Sequence, residues 1–512
     1  MESLTDRSQN VLELKNIRKT YPGVVANDDI NLAVKAGEIH ALIGENGAGK
    51  TTLMSILYGL IKPDSGSITV DSKLELFRNP TDAISSGLGM VHQAFYLFPS
   101  LTVAENIVFQ DEPTKRGFID IAAAIEKIRE ISDHYGLAID PNAKIENLAV
   151  GVLQRVEIVK ALYRNTKILI LDEPTAVLTP QERDHLFKII RKLRDEGCTI
   201  LFITHKLGEV MELADTVTVL RRGKTVWSGA VQETTPREMS HHMTGRNVDL
   251  ERISQCLNVG EPVLELDGVT VTPEDGISTV KDVSFKLRAG EIVGIAGVAG
   301  NGQNELVEAI MGLRGISSGT VKVQGKDITK KTVRQRRRAG IAYVPENRER
   351  VGTARHASIW ENLLMGFQRD KALTKRNFIS RSRAINWARG QIARSDIRAS
   401  GPTANASTLS GGNLQKVVMS RELAHRAPVF IAEQPTRGVD IGAIESLWQE
   451  IQHARDQGAA VLLISAELVE VQALSSRILV MYEGSVVAEL DPELVSESDI
   501  GFHMAGGNVN GG

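Results

Sequence analysis

The sequence predicts an α/β fold in two consecutive domains, each with a mainly parallel sheet at its core. At 512 residues, the chain is too long for a single hydrophobic core. One pattern occurs twice, as "VLELKNIRKTYPGVVANDDINLAVKAGEIHALIGENGAGK" from Val11 and as "VLELDGVTVTPEDGISTVKDVSFKLRAGEIVGIAGVAGNGQ" from Val263. Apolar strands such as "IHALIG" and "KILILD" alternate with helical patterns, which is typical of a parallel sheet covered by helices.

Further repeated stretches keep their order and define the domain boundaries. "LILDEPT" returns as "FIAEQPT", and "LAVGVLQRVEIVKAL" returns as "LSGGNLQKVVMSREL". A duplication therefore predicts one domain over 11–245 and a second over 263–505, with tails at 1–10 and 506–512. The join, including His241 and His242 and the linker 246–262, is predicted to be a solvated polar loop, because no carboxylate or thiol cluster accompanies the histidine pair.

Composition restricts the class of protein. Hydrophobic residues make up 42% of the chain and charged residues 24%, as in soluble globular proteins. A net charge of -3 gives no indication of nucleic-acid binding. The cysteines, Cys198 and Cys256, form no CxxC pair, which favours a reducing compartment. Because no apolar run approaches the roughly 20 residues that a spanning helix needs, we expect a cytoplasmic chain that does not cross the membrane.

A helical subdomain is expected to interrupt each sheet domain. The stretch "IAAAIEKIREISDHYG" places Ile121, Ile125, Ile128 and Tyr135 at helical spacing, which predicts an amphipathic helix packed by one face. It lies between the Gly-rich loop of the first half and the "LAVGVLQ" stretch.

The first half carries a phosphate-binding loop. Gly44, Gly49, Lys50 and Thr51 match the pattern G-x-x-x-x-G-K-[ST], with a strand before it and a helix after it. Glycines let backbone N–H groups turn towards phosphate oxygens, and the helix N-terminus adds positive potential. The candidate nucleotide-binding residues of this loop are Gly44, Glu45, Asn46, Gly47, Ala48, Gly49, Lys50, Thr51 and Thr52.

Two further stretches add the groups that phosphoryl transfer to water needs. Asp172 ends an apolar strand, where a carboxylate can hold Mg²⁺ directly or through water. Glu173 follows it and is the candidate residue to orient or deprotonate the attacking water, with a solvated acidic turn as the alternative. Because neighbouring carboxylates repel each other, the pair also favours a bound cation. His205 ends another strand, in "ILFITHK", and is the candidate contact to the γ-phosphate.

The order of these motifs resembles the nucleotide-binding subunits of ABC transporters. A phosphate loop, a glutamine loop at Gln93, a signature stretch, "LDEPT" and "ITH" follow one another, and the tandem form covers nearly the whole chain. The sequences "DEPTAVLTPQE" and "QPTRGVDIGA" are similar to those of importers of simple sugars and nucleosides, and most similar to the nucleoside branch. The resemblance implies two P-loop NTPase domains, each with an antiparallel β subdomain and a helical subdomain, and implies ATP and Mg²⁺ as cofactors.

The resemblance also implies composite sites, because two such domains close head to tail on ATP. Lys50, Glu173 and His205 are the implied catalytic residues, and Thr51, Gln93 and Asp172 the implied metal contacts. Tyr21 is implied to stack on adenine, although a surface strand position is the alternative. The partner half is implied to contribute the signature residues and one residue beside them: Leu409, Ser410, Gly411, Gly412, Asn413 and Asp440.

The other composite site lacks most of this set. At the second phosphate loop, Gln303 and Asn304 stand where the first loop has lysine and threonine. Where the first half has Gln93, Asp172, Glu173 and His205, the second half has Glu346, Glu433, Gln434 and Ala466. The signature of the first half has Ala149 and Val150 in place of serine and glycine, Pro273 lies near the aromatic position, and Thr179 stands where the second half has Asp440. The stronger signature lies on the half with the weaker phosphate loop. This distribution predicts one hydrolytic and one degenerate site.

Partners follow from the same resemblance. It implies two transmembrane permease subunits, an extracytoplasmic solute-binding protein acting through them, no nucleic acid, and a peripheral position on the cytoplasmic side of the inner membrane. Phe95, Tyr96 and Phe98 are candidate docking residues, with packing inside their own subdomain as the alternative, and Trp360 is the counterpart in the second half. The basic run 334–338 is predicted to be a solvated helix face.

Three other functions stay open at this point. A soluble tandem ABC ATPase acting on ribosomes or nucleic acid would share the architecture. Such proteins usually have two intact sites and a long charged helical linker, whereas this chain has one altered site and a short linker. A protein that binds ATP without turnover would not need the complete catalytic set. An exporter more often fuses its ATPase to the membrane domain.

Overall fold

The computed structural model describes residues 9–92, 95–115, 117–175, 178, 180–246, 259–272, 279–298, 300–376, 378–439 and 441–507. The chain divides into two compact units, Met1–Val248 and Asp249–Gly512. Five residues singled out from the sequence lie outside the described ranges: Gln93, Thr179, Cys256, Pro273 and Asp440. Within those ranges, no helix has both the length and the apolar character to cross a bilayer.

The first unit contains a six-stranded sheet, a four-stranded antiparallel sheet and a small hairpin. Its strands are β1 Asn10–Tyr21, β2 Val24–Lys35, β3 Ile39–Gly44, β4 Ser65–Val70, β5 Lys73–Glu75, β6 Leu88–Val91, β7 Thr114–Lys115, β8 Phe118–Ile119, β9 Ile168–Asp172, β10 Thr199–Ile203, β11 Thr216–Arg221 and β12 Lys224–Ala230. The larger sheet has the order β12-β11-β3-β10-β9-β6, parallel except for β12. The antiparallel sheet has the order β2-β1-β4-β5.

The helices of the first unit cover the larger sheet and build the subdomain beside it. They are α1 Lys50–Leu57, α2 Pro80–Ser85, α3 Val103–Val108, α4 Ile121–Tyr135, α5 Val150–Tyr163, α6 Pro180–Asp195, α7 Leu207–Leu213 and α8 Pro236–Thr244, with 3-10 turns at Ile145–Asn147 and Val231–Glu233. Strands β3, β9 and β10 are almost wholly buried, which explains their continuous apolar runs. The carboxyl ends of these parallel strands share one edge, where ligands of open α/β sheets bind.

The second unit repeats this architecture. Its strands are β13 Pro262–Val271, β14 Val280–Arg288, β15 Ile292–Ala296, β16 Ser318–Val323, β17 Lys326–Asp327, β18 Ile341–Val344, β19 Thr374–Lys375, β20 Phe378–Ile379, β21 Val429–Glu433, β22 Ala460–Ile464, β23 Arg477–Tyr482 and β24 Ser485–Leu490. The larger sheet has the order β18-β21-β22-β15-β23-β24, and the antiparallel sheet the order β14-β13-β16-β17. The predicted α/β class, with a parallel core and an antiparallel sheet in each unit, is confirmed.

The helices of the second unit follow the same sequence. They are α9 Gln303–Met311, α10 Val333–Arg338, α11 Ile359–Leu364, α12 Arg381–Arg394, α13 Gly411–Ala424, α14 Ile441–Asp456, α15 Leu468–Leu474 and α16 Glu497–Met504, with a 3-10 turn at Ala406–Thr408 and a π-helical turn at Arg348–Gly352. A subdomain built on α11, α12 and α13 packs around Ile359, Leu363 and Val417.

Two local predictions were wrong. His241 and His242 lie in helix α8, not in a loop: Thr235 caps this helix, and the His242 ring stacks on Trp227. The basic run 334–338 is helical, but it is not a purely solvated face, because Arg336 is only 2% exposed. Its guanidinium donates to the carbonyls of residues 309, 310, 329 and 331, which replaces water as the partner of a buried charge. The predicted amphipathic helix is confirmed as α4, with Ile128 buried and Ile125 and Tyr135 partly buried against the same core, although Ile121 is exposed.

Candidate functional site

The first phosphate loop joins the buried end of β3 to the start of α1. Gly49, directly before Lys50, has a φ of 104°. A Cβ at this position would also clash with the carbonyl oxygen of Ala26, so only glycine is accommodated. Asn27, wholly buried, donates from Nδ2 to the Gly49 carbonyl at 3.1 Å. This contact could not be predicted from the sequence, because Asn27 lies on β2, away from the loop along the chain.

Lys50 is buried and folds back over the loop. Its Nζ donates to the carbonyl oxygens of Gly44 at 2.5 Å and Glu45 at 3.1 Å. Burial lowers the pKa of Lys50, while the charges of Glu173, Asp172 and Glu45 act in the opposite direction. The ammonium group therefore lies against the backbone of the phosphate loop. A cation in this position can bind phosphate oxygens.

The two strand-end carboxylates differ in their surroundings. Burial, together with the charge of Glu173, raises the pKa of Asp172 to about 6, and Lys50 opposes that rise. Burial also disfavours the charged form of Glu173, but the hydrogen bond and charge of His205 outweigh it and lower the pKa of Glu173. The Nδ1 atom of His205 lies 2.9 Å from Oε1 of Glu173. The structure thus brings Lys50, Asp172, Glu173 and His205 together at one sheet edge.

The backbone at Glu173 is held in an unusual conformation. Its φ is +47°, a left-handed value that costs a non-glycine residue roughly 1 kcal/mol or more. The Glu173 N–H donates to the carbonyl of Ile203 at 2.9 Å, which ties the end of β9 to the end of β10. A buried residue that the sequence did not single out, Glu209, accepts hydrogen bonds from Thr175 at 2.6 Å and from Thr204 at 3.1 Å. These bonds join the segments that follow β9 and β10.

The corresponding loop of the second unit keeps its shape without these groups. Gly302 has a φ of 97°, close to that of Gly49. Gln303 is buried in the place of Lys50, and its Nε2 donates to the Val298 carbonyl at 3.1 Å. Asn304 donates from Nδ2 to Oε2 of Glu346 at 3.2 Å. The loop is therefore stabilised by an uncharged amide where the first loop holds an ammonium group.

The strand end beside this loop also keeps the backbone and changes the chemistry. Gln434 has a φ of +47°, and its N–H donates to the Ile464 carbonyl at 2.7 Å. Its side-chain oxygen accepts from the N–H of Ala466 at 3.0 Å. Glu433, at the end of β21, accepts from the Tyr343 hydroxyl at 2.5 Å. An amide cannot take a proton from water, so this position lacks the proton acceptor that the Glu173 carboxylate provides in the first unit.

The two signature stretches differ at the start of their helices. Helix α13 begins directly after Ser410, whose Oγ accepts from Nδ2 of Asn413 at 2.9 Å. Asn413 in turn accepts from the N–H of Arg398 at 2.7 Å, which orders this turn. Helix α5 begins after Ala149, which has no polar side chain to cap it. Ser410 thus caps α13, and the glycines that follow it leave the N-terminal N–H groups of this helix accessible.

The aromatic candidates lie at or near the surface of the first unit. Tyr21, at the end of β1, is exposed. Tyr96 is 66% exposed and Phe98 is 49% exposed, although Phe98 also contacts Phe109 with a centroid distance of 5.0 Å. Trp360, the counterpart in the second unit, is half-buried and packs against the α11–α13 cluster. The first unit therefore presents the more accessible aromatic group.

Comparison with known proteins identifies the family. The profile of the ABC transporter family matches residues 27–176 and 280–437, the two segments that contain the phosphate loops and the strand-end carboxylates. The chain belongs to the ABC transporter family. It is therefore an ATP-binding ATPase subunit, and the predicted resemblance and the tandem fold are confirmed.

Curated relatives match over nearly the full length of the chain. It is 46% identical to the guanosine import ATP-binding protein NupO of Bacillus subtilis, over 97% of each chain. It is 42% identical to the nucleoside import ATP-binding protein NupA of Lactococcus lactis, over 98% of this chain and 99% of the relative. A ribose import ATP-binding protein, RbsA 1 of Streptomyces avermitilis, is 38% identical over 96% of this chain and 93% of its own.

Among solved structures, the tandem arrangement is found in archaeal ribosome recycling factor aABCE1, solved in complex with the ribosomal stalk protein aP1. That structure has a TM-score of 0.63, covers 93% of this chain and 90% of its own, and shares 18% sequence identity. At this identity the likeness shows the fold alone.

Proposed function

We propose that this chain hydrolyses ATP to energise a membrane importer whose solute is a nucleoside or a simple sugar. One observation carries the proposal. A complete hydrolytic set in the first unit, with Glu173 bonded to His205 beside a buried Lys50, occurs in a chain that aligns end to end with nucleoside and sugar import proteins.

The first phosphate loop binds the nucleotide phosphates. The N–H groups of the loop and of the α1 N-terminus donate to them, and Lys50 exchanges its carbonyl partners for the β- and γ-phosphate oxygens. The residues present fit a hard cation, because Thr51 is exposed at the start of α1 and Asp172 ends β9, a parallel strand of the same sheet as β3. Thr51, Asp172 and Gln93 would hold Mg²⁺, which supplies positive charge against the phosphates.

Glu173 and His205 carry the proton chemistry. The carboxylate of Glu173 accepts a proton from the attacking water, and its lowered pKa keeps it ionised for that role. His205 holds the Glu173 carboxylate through Nδ1 at 2.9 Å and presents its other ring edge towards the terminal phosphate. Glu209 is a positioning residue, because its bonds to Thr175 and Thr204 fix the segments that carry Glu173 and His205.

The second unit contributes the signature. We propose that Leu409, Ser410, Gly411, Gly412 and Asn413, with Asp440, close the competent site from the other side of the nucleotide. The ordered turn at Ser410 and Asn413 supports this, since it presents N–H groups of a 14-residue helix to an anion. The distribution of intact and altered motifs supports it too, because the intact phosphate loop and the intact signature lie on different halves.

Membrane subunits complete the proposed transporter. Two permease subunits carry the solute across the membrane, and a solute-binding protein delivers it outside the cytoplasm. This chain lies on the cytoplasmic face, where Tyr96 and Phe98, exposed beside the glutamine loop, form a docking patch for the permease. Tyr21 stacks on the adenine ring.

An uptake assay tests the function. A strain lacking this gene, complemented with the wild-type chain, should regain accumulation of labelled guanosine or ribose, and complementation with Glu173→Gln should not restore it. If neither solute accumulates while the chain associates with ribosomes, the import assignment is wrong and a ribosomal ATPase is favoured.

A further inference from the structure

The two phosphate loops treat their neighbouring carboxylates differently. In the first unit, no residue that the structure describes donates a side-chain hydrogen bond to Asp172 at the end of β9, and Thr51 is exposed at the start of α1. A carboxylate and a hydroxyl without protein donors are what a hard cation requires. The first loop is therefore open to a divalent ion.

In the second unit, both carboxylates at the equivalent edge are already supplied with donors. Glu346 accepts from Nδ2 of Asn304 on one oxygen and from Nη1 of Arg437 on the other. Glu433 accepts from the Tyr343 hydroxyl at 2.5 Å and from the N–H of Glu346 at 3.2 Å. A metal ion would have to displace Asn304 and Arg437 to reach the oxygens of Glu346, and the Tyr343 hydroxyl to reach Oε2 of Glu433.

Arg437 is itself held in place from its backbone. Arg348 donates from Nη1 to the Arg437 carbonyl at 2.6 Å and from Nη2 to the Gly438 carbonyl at 3.3 Å. Since a guanidinium stays protonated in proteins, its charge is permanent. In the aligned stretches "LDEPTA" and "AEQPTR", the residue at this position in the first half is Ala176, which carries no charge.

We propose that the second phosphate loop excludes divalent cations, with the guanidinium of Arg437, bound to Glu346, standing in the place of the ion. Any nucleotide held at this loop is held as the metal-free anion. This inference rests on the proposed function, because it assigns the metal of the transporter to the first loop alone. It also explains why loss of the lysine and the threonine has not collapsed the second loop: the contacts among Asn304, Glu346 and Arg437 hold its neighbourhood together without a ligand.

Manganese binding tests the proposal without reference to activity. The full chain, with a non-hydrolysable ATP analogue in excess, is titrated with Mn²⁺ and followed by electron paramagnetic resonance. We expect one tightly bound Mn²⁺ per chain, weakened at least tenfold by Thr51→Ala and unchanged by Asn304→Ala. Two tight ions per chain would overturn the exclusion and leave the proposed function standing. No tight ion at all would overturn the proposed function, and this inference with it.

A variant that gains an ion tests the role of Arg437 directly. Arg437→Ala should allow a second Mn²⁺ to bind, with an affinity at least tenfold above that of wild type at this loop. The matched control is Arg355→Ala, which removes another exposed arginine bonded to one carboxylate, Glu349, and should leave the count at one. If Arg437→Ala does not fold, Arg437→Gln keeps a donor for Glu346 and removes the charge. A count that stays at one in every folded Arg437 variant refutes the stand-in role.

Discussion

The two phosphate loops have nearly the same backbone and different chemistry. Gly49 and Gly302 share a left-handed conformation, with φ of 104° and 97°, and Glu173 and Gln434 share a φ of +47°. Strain of about 1–3 kcal/mol at such non-glycine positions is tolerated in both units. The general base, the lysine and the histidine are present in only one. Loop geometry is therefore evidence of ancestry and of a phosphate-sized cradle, and only the side chains indicate hydrolysis.

The second unit makes its internal contacts with uncharged groups where the first unit uses charged ones. Lys50 donates to the carbonyls of Gly44 and Glu45, and Gln303 donates to the carbonyl of Val298. Where His205 bonds Glu173 through its ring, Gln434 bonds the backbone of Ala466. Each substitution removes a charge and keeps a hydrogen bond.

The largest effect is expected at the general base. Glu173→Gln should lower the ATPase rate of the assembled transporter by about 10²–10⁴-fold, because the attacking water loses its proton acceptor. The matched change, Gln434→Ala, should stay within about twofold of wild type, since an amide takes no proton. Steady-state phosphate release measures both. Comparable losses in the two variants would mean that both loops turn over.

The next effect is expected at the buried lysine. Lys50→Ala should lower the ATPase rate by about 10²–10³-fold, corresponding to roughly 3–4 kcal/mol of transition-state stabilisation. Gln303→Ala, the same truncation in the other loop, should cost less than about threefold, because it removes only a hydrogen bond to Val298. A large loss from Gln303→Ala would show that the second loop acts in the reaction.

A buried glutamate allows the comparison to be made through stability. Glu470 takes the place of Glu209, and Glu467 that of Lys206, so a repelling charge replaces an attracting one. Burial raises the pKa of Glu470 to about 7, against hydrogen bonds from Ser465, Trp448 and Thr436 that lower it. Between its usual value of 4.5 and about 7, the folded unit keeps a proton that the unfolded chain has lost.

The stability of the second unit should therefore fall as pH rises through that window and level off above it. The total loss is at most about 3 kcal/mol, from the size of the pKa shift. Glu470→Gln should remove most of this dependence in thermal unfolding measured between pH 5 and pH 8. A profile unchanged by the substitution would show that Glu470 is ionised in the folded unit.

The smallest effect is expected at the signature. Ser410→Ala removes the hydroxyl that orders the start of α13, and should lower the ATPase rate by about tenfold and the stability by about 1 kcal/mol. Ala149→Ser, the reverse change in the other signature, should leave the ATPase rate unchanged. If Ala149→Ser raised the rate as much as Ser410→Ala lowered it, both signatures would serve competent sites.

Much of the site could be predicted because its residues are read from short motifs. The loop Gly44–Thr51, the strand-end pair Asp172 and Glu173, and His205 each follow a buried strand, so local patterns place them at one sheet edge. Their degenerate counterparts follow from the same alignment of the two halves.

The supports could not be predicted, because they join segments far apart along the chain. The contacts of Asn27 with Gly49, of Glu209 with Thr175, and of Arg437 with Glu346 depend on tertiary packing that no local pattern encodes. The burial of Arg336 could not be predicted for the same reason. A run of arginines suggests a solvated face, but one of them is buried against backbone carbonyls in the last turn of α9 and in the segment before α10.

The account depends on one hydrolytic site per chain, on the first unit. Vanadate trapping measures this most directly: the assembled transporter turns over labelled ATP with vanadate present, and the trapped ADP is counted per chain. We predict one trapped ADP, abolished by Glu173→Gln and retained in Gln434→Ala. Two trapped ADP molecules per chain, or one that survives Glu173→Gln, would contradict the account.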